Sequence, residues 1–228
     1  MYRVLTNHYQ LDPQLLLTFL PAFEKYRNNL RAKANASEED GYVLASVDVL
    51  VDYLRRDYRQ TIASIENLTS HGEITFDLLY AILVPRSTVV TQCPITGELR
   101  ALQLVSATKS ATPAGFLYTL ICEGIDADDS EDPNAMGFFR TQSRVLLPDF
   151  DGTVKITSLD AYPIQFHPQE AEIRRSLISR GRKWSKLTGI HHMTYKGTAG
   201  FKCQGKVVKY NVRSIQVYEI GLRADLCS

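Results

Sequence analysis

Hydrophobic spacing changes once along this chain, and the change limits the folds open to it. Val47, Leu50, Val51, Leu54, Tyr58, Ile62, Ile65 and Leu68 recur at three and four residues, the period of one helix face. Over residues 87 to about 166 that period is lost. Short runs rich in Val, Ile, Thr and aromatic residues alternate there with Pro, Gly and Asp, as in strands joined by turns. Helices first and strands afterwards predict an α+β fold: N-terminal helices, then a mostly antiparallel β-sheet with one late helix.

The finer reading follows from local chemistry. Pro13 opens an earlier helix in which Leu16, Leu20, Phe23, Leu30 and Ala34 share a stripe, and Pro21 imposes a kink or a division into two pieces. The polar stretch 35–41 separates it from the second helix, which Ser70, His71 and Gly72 stop. Thr75 caps a short helix through residues 79–83 that Pro85 ends, although an apolar run this short also suits a strand. Strands are expected near 87–92, 99–107, 116–124, 138–147 and 153–158, with turns at 95–98 and 148–152 and a loop over 126–133. The late helix starts at Pro168 and runs to about Leu187, with Glu170 and Arg174 as an i,i+4 pair. Two last strands, near 191–196 and 206–212, flank a turn at 197–200. The predicted organisation is a helical region over 1–72, an α+β domain over 73–212 and an atypical tail over 213–228.

At 228 residues, 44% of them hydrophobic, the chain is long enough to bury a core without disulfides or metal, which excludes collagen-like, disordered and disulfide-scaffold classes. The net charge of +1 conceals a division. Residues 1–164 carry 14 Lys/Arg against 21 Asp/Glu, net −7, and residues 165–228 carry 12 against 4, net +8. The first residues lack the apolar core of a signal peptide, so secretion is not expected. The longest apolar run, 78–84, has seven residues against the roughly 20 a membrane-spanning helix needs. Cys93, Cys122, Cys203 and Cys227 are scattered, as in a reduced cytoplasmic or nuclear protein, and form no C-x-x-C pair.

Catalytic motifs fail one by one. There is no G-x-x-x-x-G-K-[ST] phosphate loop, no G-x-G-x-x-G, no G-x-S-x-G and no H-E-x-x-H. Ser106 and Lys109 match S-x-x-K, but on a strand that spacing separates the two side chains. His167, His191, His192 and Cys203 invite a metal reading, which adjacent histidines on opposite strand faces oppose. The acids from Glu123 to Asp132 resemble a calcium loop, yet Glu131 occupies the position that needs glycine. The expectation is no cofactor and no metal.

One cluster stands out. Arg174, Arg175, Arg180, Arg182, Lys183 and Lys186 gather around Trp184, so cations lie beside an aromatic ring. Three readings stay open: a solvated helix end favoured by the macrodipole, a nucleic-acid contact, and a docking face for a partner protein or a nucleotide-bearing module.

A resemblance bears on the choice. Residues 72–83, and above all 159–168 followed by 177–184, are similar to the uncharacterised N-terminal domain that precedes AAA-type ATPase modules in filamentous fungi, a likeness extending over residues 50–211. That family has no agreed catalytic residues. The resemblance implies a non-catalytic domain for recognition or regulation, with an AAA-type ATPase or its substrate as protein partner and no membrane. Beyond Val212 the likeness ends and no ATPase module follows, the pattern of a truncated product or of a member that has lost its motor. The alternatives are a nucleic-acid contact through 174–186, and an accessory protein or unrecognised enzyme of a fungal secondary metabolic pathway.

Overall fold

The computed structural model describes residues 12–94, 96–113, 115–127, 138–185, 193–203 and 206–217. The fold is α+β, and the chain divides into two compact units.

The first unit comprises residues up to Val84 together with Phe150–Lys155. Asp12 caps helix α1 (Pro13–Thr18) by accepting from the Gln14 amide at 2.9 Å. The chain breaks at Phe19 and resumes as α2 (Leu20–Arg31), the two pieces expected from Pro21. Pro21 has no amide proton for the Leu17 carbonyl, and its ring would crowd that oxygen. Ala34 lies beyond the end of α2, outside its stripe.

Helix α3 (Glu38–Asp57) starts earlier than its apolar period suggests, inside the polar stretch 35–41. The cause is a capping box: the Ser37 hydroxyl accepts from the Asp40 amide at 3.1 Å, and the Asp40 carboxylate accepts from the Ser37 amide at 2.8 Å. Glu38, Glu39 and Asp40 in the first turn favour the dipole. The single second helix expected from residues 47–68 is two helices, since α4 (Arg59–Ser70) begins after a break at Tyr58, whose φ of −110° and ψ of 23° leave the helical region. The spacing passes through Tyr58 unbroken because that residue packs against the same core. Leu17, Leu20, Val51, Leu54 and Ile62 form that core, with Leu54 fully buried. Gly72, at φ +69°, ends α4.

Strand β1 (Glu73–Thr75) pairs antiparallel with β6 (Thr153–Lys155), Ile74 opposite Val154. This pair was not legible in the sequence, because nearly eighty residues separate its strands. The strand expected over 153–158 ends at Lys155 and becomes a 3-10 turn. Residues 76–81 also form a 3-10 helix, and Thr75 gives it no side-chain cap.

The second unit holds a five-stranded antiparallel sheet in the order β5-β4-β3-β2-β7. Its strands are β2 (Thr88–Gln92), β3 (Leu99–Thr112), β4 (Gly115–Ala127), β5 (Phe138–Pro148) and β7 (Ala161–Pro163). β3 and β4 outrun the expected strands because their cross-strand pairing continues to Thr112 opposite Gly115. Leu102, Leu104, Tyr118, Leu120, Cys122 and Leu147 bury one face. Val89 and Val90 are both fully buried, so β2 is covered on its two sides. Gly97 at φ +75° makes the β2–β3 turn, closed by the Cys93 amide donating to the Glu98 carbonyl at 2.8 Å. The loop expected over 126–133 lies mostly outside the described residues.

Helix α5 (Glu170–Trp184) follows, two residues later than Pro168. Strands β8 (Met193–Cys203) and β9 (Lys206–Val217) form a separate hairpin. The turn expected at 197–200 is not there, since those residues pair with Val212 to Lys209 inside the ladder. Gly197 instead marks a register shift after Tyr195, the irregularity glycine permits within a strand.

Candidate interaction face

Six of the seven residues of the basic cluster lie on α5, at different places around it. Ile173, Leu177, Arg180 and Trp184 follow one another at three- and four-residue steps and form one stripe, on which Ile173, Leu177 and Trp184 are half-buried. Arg180 Nη2 donates to the Leu99 carbonyl at 2.8 Å, so this cation tethers the helix to β3. Arg174 is engaged too, its Nε 2.8 Å from the Glu170 carboxylate in the predicted i,i+4 pair. Lys186 lies outside the described residues.

Arg175, Arg182 and Lys183 turn the other way. With Ile178 and Ser179 they line a hollow of about 490 Å³ on the opposite side of the helix. Ile178 is 54% exposed, and no residue of α5 is buried. Position around the helix rather than charge therefore sorts the cluster. Three cations surround an exposed aliphatic side chain, an arrangement that attracts an anionic partner and offers it an apolar contact. Trp184 stands on the inward stripe, away from that face.

The other sequence candidates are positioned for structure. Ser106 and Lys109 lie on extended β3, three residues apart and so on opposite faces, and the Lys109 Nζ sits 4.7 Å from the centre of the Phe116 ring. His167 accepts the Gln169 amide on Nδ1 at 3.1 Å and stacks on Tyr162 with ring centres 6.2 Å apart. His191 and His192 lie outside the described residues, as does the acidic run 128–132. Among the described residues no group of three His, Cys, Asp or Glu side chains could hold a metal ion. No helix among them is long and apolar enough to cross a membrane.

Sequence reasoning missed a second concave site, a cleft of about 540 Å³ lined by residues of β2, β5 and the segment 157–162. Arg144, Thr157, Ser158 and Asp160 supply its polar groups. Nothing local marks them, because the cleft exists only through pairing between distant strands. Leu159 and Asp160 do fall within the block that carries the family resemblance.

Residues 64–168 match the family model described as Domain of unknown function (DUF7025). The matched stretch runs from α4 to the residues just before α5, so every residue lining the cleft falls inside it and the basic helix falls beyond it. No curated protein and no solved structure matches the chain.

Proposed function

We propose that this chain is a non-catalytic cytoplasmic binding module that docks an acidic surface of a partner protein on the outer face of α5. The observation that carries the reading is the segregation on that helix: Arg175, Arg182 and Lys183 flank exposed Ile178, while Arg180 and Arg174 are already engaged within the chain. Arg175 donates from Nε to the Ala171 carbonyl at 3.3 Å within its own helix, and three cations set around an apolar side chain suit a protein contact with a charged rim. The likeness of residues 159–168 and 177–184 to domains that precede AAA-type ATPases in filamentous fungi supports an ATPase of that class, or the protein it acts on, as partner. Nucleic acid is the lesser reading, because Trp184, the ring best suited to stack on a base, belongs to the inward stripe.

The test is capture from the source cells with the wild-type chain and with an Arg175→Glu, Arg182→Glu, Lys183→Glu variant. The expected result is an AAA-type ATPase or its client retained by the wild type, lost by the variant, and eluted by raised salt. Equal retention by both chains would remove α5 from the reading. Salt-sensitive retention of RNA or DNA in place of protein would favour the nucleic-acid alternative.

A further inference from the structure

The five-stranded sheet does not lie flat, and its register shows how it curls. Gln92 pairs with Leu99 and Tyr162 with Val90, which itself pairs with Ala101, so the β2 and β7 side of the cleft is level with residues 99–101 of β3. Arg144 pairs with Ile121 and Leu146 with Thr119, and these pair with Ser106 and Thr108. The β5 side of the cleft is thus level with residues 106–108, seven positions further along β3. In a flat sheet the two sides would stand roughly 23 Å apart along the strands at about 3.3 Å per residue, and about 14 Å apart across them. They nevertheless line one cleft. A staggered sheet coiling toward a barrel brings such positions together, and here the closure stops short of strand pairing.

The gap left at that seam has the form of a strand slot. β5 is an edge strand 11 residues long, with β4 as its one neighbour among the described residues. Arg144, Val145 and Leu146 are consecutive and all line the cleft. Successive side chains leave a strand on opposite faces, and because β4 occupies one hydrogen-bonding edge of β5, the other edge is the one this stretch can offer to an added strand. Natural sheets protect or use edges of this length. We propose that the seam beside Arg144–Leu146 is a second binding site, which takes an extended peptide as an added strand on β5, with an acidic side chain of the peptide beside Arg144. Main-chain bonding to the edge supplies affinity and the flanking side chains supply selectivity. Arg144 is exposed and has no ion pair among the described residues, whereas Arg140, on the same strand, is paired with Glu123 at 3.1 Å. Asp160, on the opposite lip, limits how much acid the slot tolerates. This site does not depend on the reading of α5.

Fluorescence anisotropy with a fluorescein-labelled hexapeptide alternating Glu and Val tests it, using the full chain. The expected result is saturable binding, weakened about tenfold by Arg144→Glu and strengthened about twofold by Asp160→Asn, with no binding of a version in which proline replaces each valine. Arg144→Glu should instead bind the Lys and Val hexapeptide, which shows that the variant is folded and that the charge acts at this position. Any of three results would overturn the proposal: no binding at millimolar peptide, equal binding of the proline version, or indifference to Arg144→Glu. Loss of binding in the Arg175→Glu, Arg182→Glu, Lys183→Glu variant with Arg144→Glu unaffected would also overturn it, by moving the peptide to α5.

Discussion

Arg180 donates from Nη2 to the carbonyl of Leu99 across 2.8 Å, joining the middle of α5 to the first residue of β3, 81 positions earlier in the chain. A charged donor is thereby spent on the fold. Arg180→Ala should lower the free energy of unfolding by about 0.5–1.5 kcal/mol. Arg182→Ala, on the open face, should stay within about 0.5 kcal/mol of wild type. Urea denaturation of both variants checks the contrast, and equal losses would mean that the tether does not distinguish the two cations.

Leu54 has no exposed surface and sits among Leu17, Leu20, Val51 and Ile62. Leu54→Ala removes its contacts and leaves a void, so the expected cost is about 2–5 kcal/mol. Val49, on the same helix but 71% exposed, supplies the control. Val49→Ala should change stability by no more than about 0.5 kcal/mol in the same denaturation experiment.

The capping box makes the start of α3 pH-sensitive. Hydrogen bonding by the Lys33 ammonium, then by the Ser37 amide and hydroxyl, lowers the Asp40 carboxyl from 3.8 to about 2. A carboxyl depressed in the folded state contributes its stability above its unfolded value of 3.8, and that contribution fades as pH falls through about 2. Thermal unfolding followed by circular dichroism should show wild type above Asp40→Asn at pH 5, with the gap closing between pH 4 and pH 2. A gap that does not change with pH would separate the cap from the charge.

Cys122 is fully buried on the core face of the sheet, and burial pushes its thiol up to about 11. At pH 8 the thiolate fraction is then about one in a thousand, so a short iodoacetamide pulse should leave Cys122 unmodified in the native chain and alkylate it in urea. Peptide mapping by mass spectrometry reads this directly. Rapid native labelling would show that the sheet opens at β4.

The candidate site was legible in part. That residues 174–184 are basic and helical was readable from spacing and charge, and the Glu170 to Arg174 pair formed as the i,i+4 rule predicts. Which cations face outward was not. That depends on where Ile173, Leu177 and Trp184 find partners, and so on β3 and the residues before the helix. The cleft was invisible for a stronger reason, since Arg144 and Asp160 acquire a common environment only after four strand pairings accumulate a stagger.

Sequence alone determined the α+β class, the break near Pro21, the stop at Gly72 and the turn at Gly97, because each rests on backbone chemistry within a few residues. It could not place the break at Tyr58, the pairing of β1 with β6 or the strand passing through 197–200. Tertiary structure decided those, along with the sorting of the α5 cations and the seam at β5. A periodic pattern records which side chains seek burial; the partner that buries them, and the register in which it does so, are properties of the assembled chain.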